Sequence, residues 1–190
     1  MKISATARGF TLVELLATLT LISVVVGIAI PSWNQLIAAS RHTSTVNDIH
    51  RMFATARSFA IHQKTLTTIC PLSPTLNCTN DWSASVSVFP DGDNDQQPDN
   101  GKIYRTFELL HRGTTLQSRT AGKGYFQIGP NGMSHGSMGS LIACTEQPNG
   151  STTMSYIALN IGGRLRTLHD DDDDGDLRLP WGARVSCLPM

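Results

Sequence analysis

The chain changes its hydrophobic pattern twice. From Phe10 to Ile30 the chain is predominantly apolar, with Glu14 its one charged residue. As a helix these 21 residues reach about 31 Å, close to the hydrocarbon thickness of a bilayer. From 33 to 64 the apolar residues Val46, Ile49, Met52, Phe53, Ala56, Phe59 and Ala60 recur at intervals of three and four. Arg41, Asp48, Arg51, Arg57 and Lys64 fall mostly off that stripe. The pattern predicts a helix that lays one face on a globular head. No seven-residue repeat is sustained, which disfavours a free coiled coil. Beyond Thr65 the period becomes two. Short strands are predicted at 66–70, 83–89, 102–110, 125–128, 141–145, 154–161, 164–168 and 183–188, separated by Gly, Pro, Asn and Asp clusters. The expected fold class is α+β, a long N-terminal helix packed on an antiparallel β-sheet head.

Composition fits this picture. The chain has 190 residues, 16 glycines, 9 prolines and a formal net charge of zero, so no overall basicity marks a nucleic-acid binder. Cys70, Cys78, Cys144 and Cys187 contain no CxxC pair, which disfavours zinc and favours two disulfides. Four cysteines allow three pairings. The short, proline-containing interval from Cys70 to Cys78 suits a local staple, leaving Cys144 to tie Cys187 to a central strand. Lys2 and Arg8 before the apolar run place its N-terminal end on the cytoplasmic side and the head beyond the inner membrane.

Glu14 stands inside the apolar run. A carboxylate deep in a bilayer costs about 2.5–3.5 kcal/mol and calls for a partner, unless it snorkels to the headgroups. The run Arg8-Gly9-Phe10-Thr11-Leu12-Val13-Glu14-Leu15 resembles the prepilin cleavage motif of type IV pilins and type II secretion pseudopilins. The resemblance implies cleavage between Gly9 and Phe10 by a prepilin peptidase, and N-methylation of Phe10. It also implies that Glu14 meets the amino terminus of a neighbouring subunit during assembly. Pro31 fits the same family, where a proline kinks the helix near the end of the membrane segment. The chain then divides into a leader (1–9), a membrane and assembly half-helix (10–31), an amphipathic half-helix (32–64) and a β-rich head (65–190). Loss of Lys2 and Arg8 with the leader leaves the mature chain slightly acidic.

Along the head, ICPLSPTLNC, DWSASVSVFPDGD, GYFQIGPNG, LIACT, GGRLR and RVSC follow one another in an order similar to the GspH/FimT family. FimT-type members are linked to DNA uptake in natural transformation and carry a C-terminal Gly-Arg-x-Arg, which Gly163, Arg164, Leu165 and Arg166 match. The resemblance implies contact with double-stranded DNA, independent of sequence, with Lys123, Arg178 and Arg184 as further basic candidates. Alternating positions put both arginines on one strand face, where guanidinium groups meet phosphate oxygens. The alternative is a structural minor pilin or pseudopilin of a type IV pilus or type II secretion system, its arginines merely solvated. Other pilins are the expected partners in either case.

An acidic run, Asp170 to Asp174 and Asp176, follows at once and would repel a polyanion. It reads as a disordered, solvated loop. Asp170, Asp172 and Asp174 before Gly175 also open like a calcium loop, although Trp181 stands where the twelfth-position glutamate belongs. Asp91, Asp93 and Asp95 are a poorer echo. No other cofactor is implied. Gly132-Met133-Ser134-His135-Gly136 matches GxSxG, but turn residues flank it on both sides where a nucleophile elbow needs a strand and a helix. No enzyme is expected. Trp82 and Trp181 read as core or surface residues rather than base-stacking platforms.

Overall fold

The computed structural model describes residues 9–136 and 138–187. One helix, α1, runs Leu12–Gln63, through the position of Pro31. Thr11 caps it: the threonine side chain accepts from the Glu14 N–H at 3.3 Å. Lys64 closes it in the left-handed region, φ 54°. The first half is long and apolar enough to cross a membrane, with a mean hydropathy of 2.4 over its most apolar window, none of it buried. Burial against the head begins at Ala38. From there the expected stripe is in place: Val46, Ile49, Met52, Phe53, Ala56 and Ala60 are buried and Phe59 is half-buried.

Ten strands follow: β1 Thr67–Pro71, β2 Val86–Pro90, β3 Arg105–Phe107, β4 Thr114–Arg119, β5 Phe126–Ile128, β6 Ser140–Glu146, β7 Thr152–Leu159, β8 Leu165–His169, β9 Asp176–Arg178 and β10 Arg184–Ser186. They form one sheet ordered β3-β2-β1-β5, a second ordered β4-β6-β7-β8, and a β9-β10 ribbon, all antiparallel. The helix stripe packs with residues of both larger sheets in one core. Phe126 sits edge-on to both Phe53 (5.2 Å) and Trp82 (5.6 Å), which joins helix, β5 and the 82–85 turn. A smaller core on the outer face of the second sheet holds Ile142, Met154 and Tyr156 under Leu179 and Val185 of the ribbon.

Polar groups also fasten the helix to the second sheet. Buried His42 bonds Thr145 Oγ1 through Nδ1 (2.9 Å) and Ser155 Oγ through Nε2 (2.8 Å). Ser155 continues to His169 Nδ1 at 2.9 Å.

Two strand expectations change. The segment 102–110 pairs only over Arg105–Phe107, and a separate strand, Thr114–Arg119, follows a turn. In TTLQSR only Leu116 is strongly apolar, so no alternation announces a strand; pairing with β6 makes it one. The Asp176–Arg178 strand was not expected either. It is three residues long and begins and ends on a charge.

Candidate functional site

Gly9 and Phe10 precede the capped helix start, and Phe10 is 81% exposed. Glu14 occupies the first turn, where the helix dipole favours a carboxylate, and is exposed within the single chain. Thr11 and Glu14 stand at the spacing of a capping box, of which the structure shows the half made by the Thr11 side chain and the Glu14 N–H.

At the other end of the molecule the β7–β8 hairpin presents the Gly-Arg-Leu-Arg segment. Asn160 organises its turn. Its N–H donates to the Arg164 carbonyl (3.0 Å), its carbonyl accepts from Gly163 N–H (3.0 Å), and its Oδ1 accepts from Arg164 N–H (2.9 Å). Arg164, the last residue of the turn, and Arg166, on β8, are exposed and flank half-buried Leu165, the in–out alternation of an extended chain. β8 is the edge of its sheet. Neither guanidinium takes part in an ion pair among the described residues. Gly163 differs from its neighbours. It is buried, with φ 70°, against the backbone of Gly132. Its part in the motif is to seat the turn.

The acidic run is folded rather than disordered. Thr152 N–H donates to the Asp173 carbonyl (3.0 Å) and Cys187 N–H to the Gly175 carbonyl (2.9 Å). Asp170 is buried and accepts from Gly175 N–H at 2.8 Å. Burial first, and then the Asp172 carboxyl hydrogen-bonded to it, push the Asp170 carboxyl above its ordinary value. Ligand atoms of Asp170, Asp172 and Asp174 lie within 4.8 Å of one another, the arrangement through which a hard cation would be held. Arg178 and Arg184 line the same acidic cavity, and Arg184 pairs with Asp176 at 3.7 Å. They thus balance the carboxylates locally. Lys123 lies in the turn that leaves β4 just after Arg119.

Asp91, Asp93 and Asp95 also come within 4.8 Å of one another. Here the fold accounts for the buried member: Asp91 accepts from Thr68 on β1, Gln127 Nε2 on β5 (3.1 Å) and Gln96 N–H (3.2 Å). Ser134 of the GxSxG segment donates its N–H to Ile161, and strand β6 follows where an elbow would need a helix. Cys70 is bonded to Cys78 and Cys144 to Cys187.

A long capped N-terminal helix, exposed and apolar in its first half and packed on an antiparallel head in its second, defines the type IV pilin class. The family model of type II transport protein GspH matches residues 45–163, and that of the prokaryotic N-terminal methylation motif matches 5–30. The chain belongs to the GspH family and is a minor pilin or pseudopilin, a membrane-anchored structural protein. Its motif implies processing by a prepilin peptidase and association with other pilins. Two crystal structures of the type IV minor pilin FimU of Pseudomonas aeruginosa share the fold. One, in space group P21, is 14% identical over 70% of this chain and 95% of that chain, with a TM-score of 0.54. The other, in space group P65, is 15% identical over 68% and 97%, with a TM-score of 0.50. No curated protein matches the chain. The GspH match ends at Gly163, immediately before the two arginines.

Proposed function

We propose that this protein is a minor pilin whose head binds DNA without regard to sequence, for uptake during natural transformation. The observation that carries the reading is the pair Arg164 and Arg166: exposed, at the end of the hairpin turn and on the sheet-edge strand that follows it, and in no ion pair among the described residues. Two such groups neutralise phosphates and give weak, salt-sensitive binding, which suits DNA of arbitrary sequence. Several heads in a filament would add avidity. Cleavage after Gly9 and methylation of Phe10 would prepare the helix for the filament. Glu14 would pair with the amino terminus of a neighbouring Phe10, an ion pair that makes a carboxylate tolerable in low dielectric. The head would then stand on the periplasmic side of the inner membrane, or at the cell surface within a pilus.

A gel shift of the full chain in detergent micelles with duplex DNA tests the reading. Binding should fall with salt at a log–log slope of roughly −2 for two phosphate contacts, and each arginine-to-alanine change should reduce that slope by about 1. Binding that is absent at low salt, or unchanged in Arg164→Ala/Arg166→Ala, overturns it. Calcium and a chelator in parallel lanes test Asp170, Asp172 and Asp174 as a cation site; an unmoved affinity removes any bearing of that site on DNA. The second reading is a purely structural subunit. It is favoured by the GspH match, which stops short of the arginines, and by the carboxylates four residues beyond Arg166.

A further inference from the structure

Arg166 belongs to a row that crosses the whole second sheet. Ala158 on β7 is opposite Arg166, Ser140 on β6 is opposite Ala158, and Arg119 on β4 is opposite Ser140. Directly paired residues of an antiparallel sheet point to the same face. Arg119 and Arg166 therefore frame one face from its two edges, about 14 Å apart at three strand spacings. The residues between them are small, so the floor is low. Arg119, like Arg166, is exposed and makes no ion pair among the described residues.

The β9–β10 ribbon supplies a wall beside this row. Its turn carries Trp181, which is 62% exposed although its ring meets Tyr156 edge-on at 6.5 Å. The Cys144–Cys187 bond fastens the chain just beyond β10 to β6, so the ribbon that carries the indole is tied to the sheet. Between row and wall lies an open groove of about 430 Å³, lined by Arg119, Ser140, Ala158, Tyr156 and Trp181 among others, with no carboxylate; Arg166 stands beyond this lining, at the far end of the row.

A groove with one arginine in its lining, a second at the far end of the same row and an exposed indole on its wall has the chemistry of a nucleotide: phosphates at the edges, a π face against an aromatic ring. We propose that it binds an unpaired nucleotide of single-stranded DNA, with the base stacked on Trp181 and the adjoining phosphates on Arg119 and Arg166. In a duplex the base faces are already stacked on one another, so only an unpaired base uses Trp181, whereas the arginines serve either form. The proposal rests on the DNA-binding reading above and adds a preference for single strands.

The test uses the full chain in detergent micelles carrying Trp33→Phe, which leaves buried Trp82 and exposed Trp181 as the fluorophores. Oligothymidylate and a duplex of equal length are titrated, following tryptophan emission and the anisotropy of labelled DNA. Oligothymidylate should quench the emission and bind more tightly than duplex. Trp181→Leu should lower single-strand affinity about tenfold and bring it to the duplex level, Trp181→Phe should restore most of it, and Arg119→Gln should weaken both forms. Emission that does not move at saturating oligothymidylate, or single-strand affinity unchanged in Trp181→Leu, overturns the groove. If duplex binding sensitive to Arg164→Ala/Arg166→Ala persists in that case, the DNA reading stands without the groove, which then belongs to another occupant such as a neighbouring pilin. Failure to bind either form overturns both.

Discussion

Gly163 packs directly on the backbone carbonyl of Gly132. A Cβ at Gly163 would lie 2.1 Å from that oxygen, and its φ of 70° is already in the region that side chains avoid. The contact seats the arginine-bearing hairpin on the 129–133 turn, and Ser134 N–H reinforces it by donating to the Ile161 carbonyl at 3.0 Å. The turn in turn rests on the helix, since a Cβ at Gly132 would meet Ile61 Cδ1 at 2.7 Å. Gly163→Ala should therefore destabilise the head by about 3 kcal/mol, because the obstacle is backbone. Gly132→Ala should cost less, about 2 kcal/mol: its φ of 75° is just as unfavourable, but the nearest obstacle is the far end of a half-exposed isoleucine, which can give way. Chemical denaturation of the two variants checks the order. Equal losses would mean that the Gly163 contact is no tighter than the Gly132 one.

The disulfides should differ in worth. Cys70–Cys78 closes a short loop, with a sequence separation of 8, and Cys144–Cys187 a long one, with a separation of 43. Loop entropy alone gives about 2.6 and about 4 kcal/mol respectively. The long bond also holds the ribbon over Ile142, Met154 and Tyr156. Replacing Cys144 and Cys187 by serine should lower the melting temperature more than replacing Cys70 and Cys78. It should also expose that apolar face, read as increased binding of a hydrophobic dye.

Local pattern carried the parts of this fold that depend on near neighbours. The helix stripe from Val46 to Ala60, the apolar strands and the staple at Cys70 all follow from residues close in sequence. The parts set by long-range register were hidden. Arg119 was not singled out because only the pairing through Ser140 and Ala158 brings it into line with Arg166. The motif groups Gly163 with the arginines, and nothing in it shows that Gly132 lies beneath it. The acidic run looked disordered because six carboxylates give no hint that Thr152 and Cys187 hold its backbone. Trp181 is exposed through its place in the ribbon turn, which the unexpected strand β9 creates.

Asp170 should make the head less stable as pH rises. Its folded-state carboxyl titrates above the ordinary 3.8, chiefly through burial and then through Asp172. Between those two values the folded state holds more protons than the unfolded state, so stability falls as pH increases through the window. Asp170→Asn keeps an acceptor for the Gly175 N–H and removes the charge. The variant should match or exceed the wild type at pH 7 and show a flatter stability profile on the acid side. A melting temperature several degrees below wild type at pH 7 would show that the ionised carboxylate is needed by the loop.

His42 should act with the opposite sign. Burial, and then the charge of nearby His169, hold its imidazole below the ordinary 6.5, with Asp173 opposing them more weakly. A base with a depressed folded value binds fewer protons folded than unfolded, so stability is present at high pH and lost as pH falls below 6.5. The neutral ring donates from one nitrogen and accepts at the other, bridging Thr145 on β6 and Ser155 on β7 to the helix. Protonation removes the acceptor and leaves one hydroxyl to reorient inside the seam. The loss should be measurable by pH 5, below the ordinary value of 6.5. His42→Gln, which offers a donor and an acceptor but does not titrate, should cost stability at pH 7 through poorer packing and remove the acid-side decline. Denaturation of both proteins at pH 5 and pH 7 decides it: an equal decline in the variant would place the acid sensitivity elsewhere.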